Sequence, residues 1–282
     1  MQFHQESAEI FIPDGLPVPQ ALARTTHLAI GAHQDDLEIM AVGPILDCFQ
    51  REDLWFTGVV VTDGRGSPRD GLYSRYSDEQ MRLVRFKEQR KAAVVGEYAA
   101  QVFLDYPSKT LKDSGHLQPV SDLAAILRAA RPSAVYTHNL ADKHDTHVAV
   151  ALRTIDAIRS LPATERPQKL YGCEVWRDLD WLPDQDKVCF DLSQPENLQA
   201  ALLGVFDSQI AGGKRYDLAS LGRRRANATY FESHGVDLTS GLSFAMDLTP
   251  LLVEPFIDIE PYVDEFIQRF SQDVRTRIRA MS

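Results

Sequence analysis

Short apolar runs and longer amphipathic segments alternate along the first 160 residues of the chain. Apolar runs of this length, bounded by turn residues, are typical of buried strands in a parallel sheet. The predicted strands cover residues 26–32, 54–62, 101–105 and 134–137.

Segments with helical spacing of apolar residues lie between and after these strands. They predict helices over residues 38–49, 77–98, 122–130 and 148–160. Pro44 lies inside the first segment and predicts a kink or an early break there. Ser77 and Gln80 resemble a capping box at the start of the second. This alternation implies right-handed crossovers and a mainly parallel sheet.

The pattern changes at both ends of the alternating region. Residues 1–25, punctuated by proline and glycine, predict an extended N-terminal lead-in. Beyond Pro167 the pattern is mixed: strands near 170–176, 187–191 and 243–247, helices over 196–209 and 261–281, and a polar, glycine-containing region before the last strand. We therefore predict a single α/β domain over residues 26–282, Rossmann-like, with a mainly parallel β-sheet flanked by helices.

Composition and charge narrow the class of protein. A chain of 282 residues, 44% hydrophobic and 25% charged, is typical of a globular protein. Its net charge of −10 argues against nucleic acid as a partner, because phosphate binding needs a basic surface. No apolar run approaches the roughly 20 residues that span a bilayer, so no membrane span is expected. The three cysteines are widely spaced and form no disulfide framework, and we expect a cytoplasmic location.

Two clusters of chemically capable side chains follow predicted strands. The segment LAIGAHQDDLE ends the first strand with His33, Asp35 and Asp36, and His144 and His147 follow the fourth strand. Because ligands of open α/β sheets bind beyond the carboxyl ends of the strands, the two clusters are expected at one edge.

This set of residues is suited to binding a divalent metal. Catalytic zinc takes three His or carboxylate ligands, and His33 and Asp36 are close enough in sequence to converge. Either His144 or His147 would complete a His-Asp-His triad and leave the other histidine free. Asp35 would then accept a proton from water that the metal activates. Each cluster alone has a simpler explanation, since aspartates often cap helices and His-x-x-His pairs are common.

The same residues resemble a known family. The segment AHQDDLE is similar to the AHPDDE signature of the LmbE-like, or PIG-L, zinc-dependent deacetylases, and Asp142-x-His144-x-x-His147 resembles their D-x-H-x-D-H motif. Weaker similarities, including TDGRG at 62–66 and Arg85-x-x-Glu88, extend the resemblance over roughly residues 26–250.

The resemblance implies a role for each residue of the two motifs. His33, Asp36 and His147 would hold one Zn²⁺ per chain, with Fe²⁺ or Co²⁺ as alternatives. Asp35 would be the general base, and His144 would stabilise the oxyanion or protonate the leaving amine. The usual substrate in such enzymes carries an N-acetylglucosamine unit.

Four further residues are candidates for substrate binding. Arg85 matches a position that contacts a sugar hydroxyl in some members, and Ser108 stands where many relatives have a sugar-reading Asp. Arg65 belongs to a polar loop near the expected site, and Asn139 precedes the second motif. The chain also departs from the family at Gln34, in place of proline, and at Thr146, in place of aspartate; Asp142 or Asp145 would then orient the catalytic groups.

The sequence therefore favours a zinc-dependent N-deacetylase acting on an N-acetylated, sugar-containing small molecule. The alternative is a catalytically silent α/β binding protein of the same fold. A nucleotide-binding Rossmann protein is weakened because no G-x-G-x-x-G follows the first strand. Assembly into a homo-oligomer is left open.

Overall fold

The computed structural model describes residues 1–282, which form eight strands and eleven α-helices. The strands are β1 (Glu9–Phe11), β2 (His27–Gly31), β3 (Phe56–Thr62), β4 (Ala100–Tyr106), β5 (Ala134–His138), β6 (Lys169–Cys173), β7 (Lys187–Asp191) and β8 (Leu242–Asp247). The helices are α1 (Val18–Ala23), α2 (Asp36–Met40), α3 (Val42–Cys48), α4 (Asp78–Val95), α5 (Ser108–Lys112), α6 (Gln118–Ala130), α7 (Asp145–Arg159), α8 (Glu196–Gly204), α9 (Asp207–Ile210), α10 (Tyr216–Tyr230) and α11 (Ile259–Met281).

All eight strands form one sheet in the order β1-β4-β3-β2-β5-β6-β8-β7. The five strands from β4 to β6 in this order are mutually parallel, whereas β1 pairs antiparallel with β4 and β8 pairs antiparallel with both β6 and β7. The chain runs outward from β2 to β3 and β4, then returns to place β5 on the other side of β2. This reversal makes the carboxyl ends of β2 and β5 the switch point where ligands bind in such sheets. The predicted fold class is confirmed.

Both faces of the sheet are buried, which explains the continuous apolar runs of its central strands. In β2, Leu28 and Ile30 belong to one hydrophobic core and Ala29 to the other. Helices α6 and α7 cover the first face, and α2, α3, α4 and α8 cover the second. The central strands are therefore fixed from both sides at the positions that precede the candidate site.

The helix predicted over residues 38–49 is broken at Ala41 into α2 and α3. The predicted early break is thus confirmed, and it precedes Pro44, which lies in the first turn of α3 where a missing N–H costs little. The capping box of α4 is also confirmed, because Ser77 Oγ accepts from Gln80 N at 3.2 Å and Gln80 Oε1 accepts from Ser77 N at 2.8 Å.

Three segments differ from the sequence-based prediction. The lead-in over residues 1–25 is not wholly extended, since it contributes β1 to the sheet edge and forms α1 after Pro17. The helix predicted over 196–209 divides into α8 and α9. The polar region before β8 forms α10, whose buried positions include Ser220, Arg224 and Asn227. A helix that buries polar residues has no apolar periodicity by which to recognise it.

The longest helix, α11, has 23 residues and ends the chain. Its Phe266 is buried against the protein, whereas Ile278 and Met281 are exposed. No helix combines the length and the apolar composition required to span a membrane.

Candidate metal centre

The turn between β2 and α2 brings His33, Asp35 and Asp36 to the carboxyl end of the sheet. Asp35 has a φ of 99°, a left-handed conformation that non-glycine residues rarely adopt. Its N–H donates to Gln89 Oε1 at 3.2 Å, and the N–H of His33 donates to Asp36 Oδ2 at 2.6 Å. Strained backbone of this kind persists where surrounding contacts fix it, and it is common at functional sites.

The second cluster is positioned by the loop between β5 and α7. His144 caps α7 and His147 lies in its first turn, so the two side chains project from one end of the helix. Asp142 Oδ1 accepts from the N–H of His144 at 3.0 Å and fixes the entry of the loop into the helix. The two imidazole rings lie 4.5 Å apart between centroids, at an angle of 26°.

Donor atoms of His33, Asp36 and His147 converge on one point. His33 Nδ1 lies 3.2 Å from His147 Nε2, and Asp36 Oδ2 lies 3.3 Å and 3.5 Å from these two nitrogens. Tetrahedral zinc with ligand distances of about 2.0–2.2 Å separates its ligands by about 3.3–3.6 Å. The triangle of donors thus has the dimensions of one face of such a site, and its two nitrogens and one oxygen suit the metal.

Asp142 supports His147 from the side away from the other donors. Its Oδ2 lies 3.4 Å from His147 Nδ1 and also accepts from the N–H of Trp176 at 3.1 Å. A carboxylate on the second ring nitrogen is the usual support of a metal-binding histidine. Asp142 therefore takes the orienting role expected of it or Asp145, while Asp145 is exposed.

The electrostatics of the three donors suit a cation. Burial alone would raise the pKa of Asp36, but His147 and His138 beside it hold that pKa well below its usual range. Burial lowers the pKa of His33 to about 4, with Asp36 opposing the shift. At neutral pH the carboxylate is ionised and the His33 imidazole is neutral, and these are the forms that bind metal.

Asp35 adjoins this triangle without belonging to it. Its Oδ2 lies 3.6 Å from Arg85 Nη2, and the same guanidinium donates to the carbonyl oxygen of Gln34. Burial raises the pKa of Asp35 well above its usual range, and Arg85 limits the rise. A carboxyl group with a raised pKa is suited to exchanging protons with a substrate at neutral pH.

His138 is packed beneath the centre and was not among the predicted ligands. Its ring stacks on that of His147 with centroids 3.8 Å apart, and its Nε2 accepts from the N–H of Ala32 at 2.9 Å. With Asp142 and His147 it forms a second group whose donor atoms lie within 4.8 Å of one another. None of these three residues lines the cavity above the site, whereas His33 and Asp36 do.

A cavity of about 550 Å³ opens above the centre, within the size range of small-molecule sites. Its walls are formed by His33, Asp35, Asp36, Ile39, Gly64, Gly66, Ser67, Pro68, Arg85, Ser108, His144, Thr146, Val175, Trp176, Gln209, Lys214 and Tyr216.

Gly64 has a φ of +67°, and a Cβ there would lie 2.3 Å from Gln34 Oε1. The Gln34 side chain donates to the carbonyl oxygen of Thr62 at 3.1 Å, so a hydrogen bond fixes the turn where the family has proline.

Residues 28–158 match a family model described as PIG-L: GlcNAc-PI de-N-acetylase. This chain carries a PIG-L (LmbE-like) family domain. The matched segment of this deacetylase family contains the donor triangle, Asp35, Arg85 and His144. The PIG-L match ends before β6 and therefore leaves out Trp176, Lys214 and the other residues of the opposite cavity wall.

Individual proteins are similar to this chain in sequence or in fold. The chain is 29% identical over 157 residues to the uncharacterized deacetylase YaiS of Escherichia coli (strain K12), covering 53% of this chain and 76% of YaiS. In structure it resembles N,N′-diacetylchitobiose deacetylase from Pyrococcus horikoshii, with a TM-score of 0.60 and 17% identity over 78% of this chain and 83% of that one. It also resembles GalB, the 4-carboxy-2-hydroxymuconate hydratase of Pseudomonas putida KT2440, with a TM-score of 0.58 and 17% identity over 82% and 98%. Since these two names denote different reactions, the fold alone does not determine the chemistry.

Of the four predicted substrate-binding residues of the PIG-L domain, two line the cavity and two do not. Arg85 and Ser108 line the cavity. Arg65 does not, because its guanidinium is held by Asp63 at 2.9 Å and by Glu79 at 2.7 Å. Asn139 is fully buried and donates to the carbonyl oxygen of Cys173 at 3.0 Å, so it joins the loop to β6 rather than facing the cavity.

Several wall residues outside the matched PIG-L segment were missed by the sequence analysis. Gln209, Lys214 and Tyr216 reach the cavity from α9, α10 and the turn between them. Trp176 also lines the cavity, and its ring lies 6.1 Å from that of His144 between centroids. The only sequence signal for this wall was a basic residue, Lys214, and an aromatic residue, Tyr216, soon after Gly212 and Gly213.

Proposed function

We propose that this chain is a metal-dependent hydrolase that removes the acetyl group from an N-acetylated amino sugar or a related small molecule. One observation carries the proposal: the donor atoms of His33, Asp36 and His147 have the spacing of a zinc-binding face, and a second carboxyl group, that of Asp35, lines the same cavity as His33 and Asp36. A binding protein has no need of that extra carboxyl group. The deacetylase family of the matched segment supports the same reaction.

His33, Asp36 and His147 would hold the metal, which we propose to be Zn²⁺ at one ion per chain, with Fe²⁺ or Co²⁺ as alternatives. When bound, such an ion lowers the pKa of water and polarises a carbonyl group. The protein's part is to keep the donors deprotonated and aligned. Asp142 does so for His147 through Nδ1, and the N–H of His33 does so for Asp36.

Asp35 accepts the proton of the water molecule that attacks the amide carbonyl. Its carboxyl group lines the cavity, and its backbone is fixed by Gln89. Arg85 opposes the rise that burial causes in the pKa of Asp35. General-base assistance of this kind contributes about 10²- to 10⁴-fold to a rate.

His144 serves the opposite side of the reacting amide. Its ring lines the cavity, and its buried Nδ1 has no hydrogen-bond partner within the protein. We assign it to stabilising the oxyanion and to returning a proton to the leaving amine. Burial lowers the pKa of His144, so the neutral imidazole predominates before substrate binds.

The substrate is a small molecule of the N-acetylglucosamine type, with Arg85 and Ser108 as its contacts in the wall. The proposal also treats residues 26–282 as one functional domain. A cytoplasmic location is proposed because Cys48, Cys173 and Cys189 are all free thiols, which reducing compartments preserve.

Acetate release from a panel of N-acetylglucosaminides tests the proposal. We expect turnover by the zinc-loaded protein, loss of turnover after chelation and recovery when zinc is returned. A protein that binds the sugars but releases no acetate with any divalent metal would be the silent binding protein instead.

A further inference from the structure

A second cavity of about 280 Å³ adjoins the one above the metal centre. The two share Ile39, Val175, Trp176 and Tyr216 in their walls. A molecule whose amide lies over the donor triangle therefore has a continuation past Trp176 into the second cavity. Neither the chemistry of the second cavity nor the ligand that it binds follows from the reaction proposed above.

Basic side chains without acidic partners surround this passage. Lys143 and Arg223 line the second cavity, and Lys214 lines the first with its Nζ 5.1 Å from the centre of the Trp176 ring. No carboxylate oxygen lies within 4.0 Å of a side-chain nitrogen of any of the three. In a chain of net charge −10, three cations that form no salt bridge at one opening make a local basic site.

The three consecutive arginines at 223–225 differ in whether their side chains are free to bind a ligand. Arg224 is buried and occupied by the fold, since it donates to the carbonyl oxygen of Glu38 at 2.8 Å and to Gln199 Oε1 at 3.1 Å. Arg225 is exposed and pairs with Glu196 at 3.1 Å. Arg223 and Arg224 both line the cavity, but only Arg223 keeps free donors there, since one of its nitrogens donates to the carbonyl oxygen of Val175 and the others have no partner in the protein.

The inner wall of the cavity contains an unused hydrogen-bonding group. Ser243 is 5% exposed, and its buried hydroxyl has no partner in the protein. Buried hydroxyl groups are nearly always hydrogen-bonded, so a missing partner indicates a ligand or water. The one carboxylate of this wall, Glu174, forms no salt bridge with Arg223, although the charge of Arg223 opposes the rise that burial causes in the pKa of Glu174. Its two oxygens accept from Asn227 Nδ2 at 2.7 Å and from the N–H of Leu179 at 3.1 Å.

We propose that the second cavity binds an oxyanion group, a carboxylate or a phosphate, attached to the same molecule whose amide is hydrolysed. Arg223 and Lys143 supply the positive charge, Ser243 donates a hydrogen bond and Trp176 packs against the part of the ligand that joins the two groups. This inference rests on the proposed function for the identity of the amide, and it assigns an acidic substrate class to the site.

Matched ligands with and without a charge test the proposal. The methyl, carboxymethyl and phosphate derivatives at the anomeric position of glucosamine serve as product analogues, and the corresponding N-acetyl compounds serve as substrates. Binding of the analogues to the zinc-loaded protein is measured by titration calorimetry, and hydrolysis of the substrates by acetate release.

We expect the wild-type protein to bind at least one charged analogue about 10-fold more tightly than the methyl analogue, since charge-assisted hydrogen bonds are the strong ones. The double variant Lys143→Gln/Arg223→Gln should reduce this ratio to about twofold or less. The single variant Lys143→Gln is a control for misfolding, because the side chain of Lys143 is exposed and its loss should leave the fold intact. This variant should reduce the ratio partially. Arg225→Gln, two positions from Arg223, should leave the ratio unchanged.

The outcomes separate the two proposals. Charge-selective binding without acetate release would overturn the hydrolase and retain the oxyanion site. Acetate release with equal use of neutral and charged substrates, and equal binding of the analogues, would overturn the oxyanion site and retain the hydrolase. A preference for charged analogues that survives in the double variant would also overturn the oxyanion site. Comparison of the carboxymethyl and phosphate analogues decides which oxyanion is preferred.

Discussion

The two walls of the cavity above the candidate metal centre are built in different ways. The wall at the ends of β2 and β5 has tightly paired polar groups: Asp36 accepts from the N–H of His33, and Asp35 is held by Gln89 and Arg85. Asp142, which lies behind this wall, contacts His144, His147 and Trp176. The opposite wall, from residues after 170, presents Trp176, Tyr216 and Lys214, and Lys214 forms no salt bridge; Arg223, which also forms none, lies in the adjoining second cavity.

This difference separates two tasks. Groups that carry out a reaction need fixed geometry, which buried hydrogen bonds and a rigid sheet supply. Groups that recognise a substrate need unused hydrogen-bonding capacity and charge. The family match covers the first wall and ends before the opposite wall, so similarity to the PIG-L family bears on the first wall alone.

Asp36→Asn should have the largest effect. The amide keeps the shape of the side chain but removes the charge that attracts the metal and faces His33 and His147. We expect zinc affinity to fall by more than about 100-fold, since loss of an outer partner alone costs about 10- to 100-fold, and acetate release to become undetectable. Asp145→Asn, in the same first turn as His147 but exposed, is the control for zinc titration. Normal affinity in Asp36→Asn would break the assignment of the first wall.

Asp35→Asn should slow turnover while leaving the metal in place. Without a proton acceptor, kcat should fall by about 10²- to 10⁴-fold, and zinc content should remain that of the wild type. Steady-state kinetics combined with metal analysis of the same sample measure both. Full turnover would show that another group takes the proton.

Asp142→Asn should have an intermediate effect. The variant loses the negative charge of the side chain that faces His147 Nδ1, but it keeps an oxygen that can accept from the N–H of His144. Zinc affinity should fall by about 10- to 100-fold, which zinc titration against a competing chelator would detect. An unchanged affinity would mean that Thr146 or a water molecule orients His147 instead.

Trp176→Leu should have the smallest effect, and on a different parameter. An aromatic contact contributes about 0.5–1.5 kcal/mol beyond its area, so KM should rise by about 2- to 10-fold with kcat nearly unchanged. Tyr230→Leu, at an aromatic residue that is 79% exposed and outside both cavities, is the control. A large loss of kcat in Trp176→Leu would remove the distinction between the two walls.

The first wall could be predicted from the sequence because local rules determine it. Residues that follow parallel strands meet at one sheet edge, so His33, Asp36 and His147 were expected together, and the structure brings their donor atoms within 4.8 Å. Residue spacing alone left open which of His144 and His147 approaches Asp36, whereas the family resemblance implied His147. The structure distinguishes them by the turn of α7, which directs His147 inward against Asp142.

The second wall could not be predicted because nothing local determines it. Helix α10 buries Ser220, Arg224 and Asn227, so its pattern resembles that of a polar loop. Arg65 was expected at the cavity from its loop, but pairing with Asp63 and Glu79 holds it elsewhere, and sequence spacing does not specify such pairs. Tertiary contacts between distant segments decide both cases.

The most direct test of the account is an anomalous-diffraction map of crystals grown with zinc. The account predicts one ion per chain, within about 2.0–2.2 Å of His33 Nδ1, Asp36 Oδ2 and His147 Nε2. An ion held instead by His138, Asp142 and His147, or no ion when zinc is in excess, would contradict it.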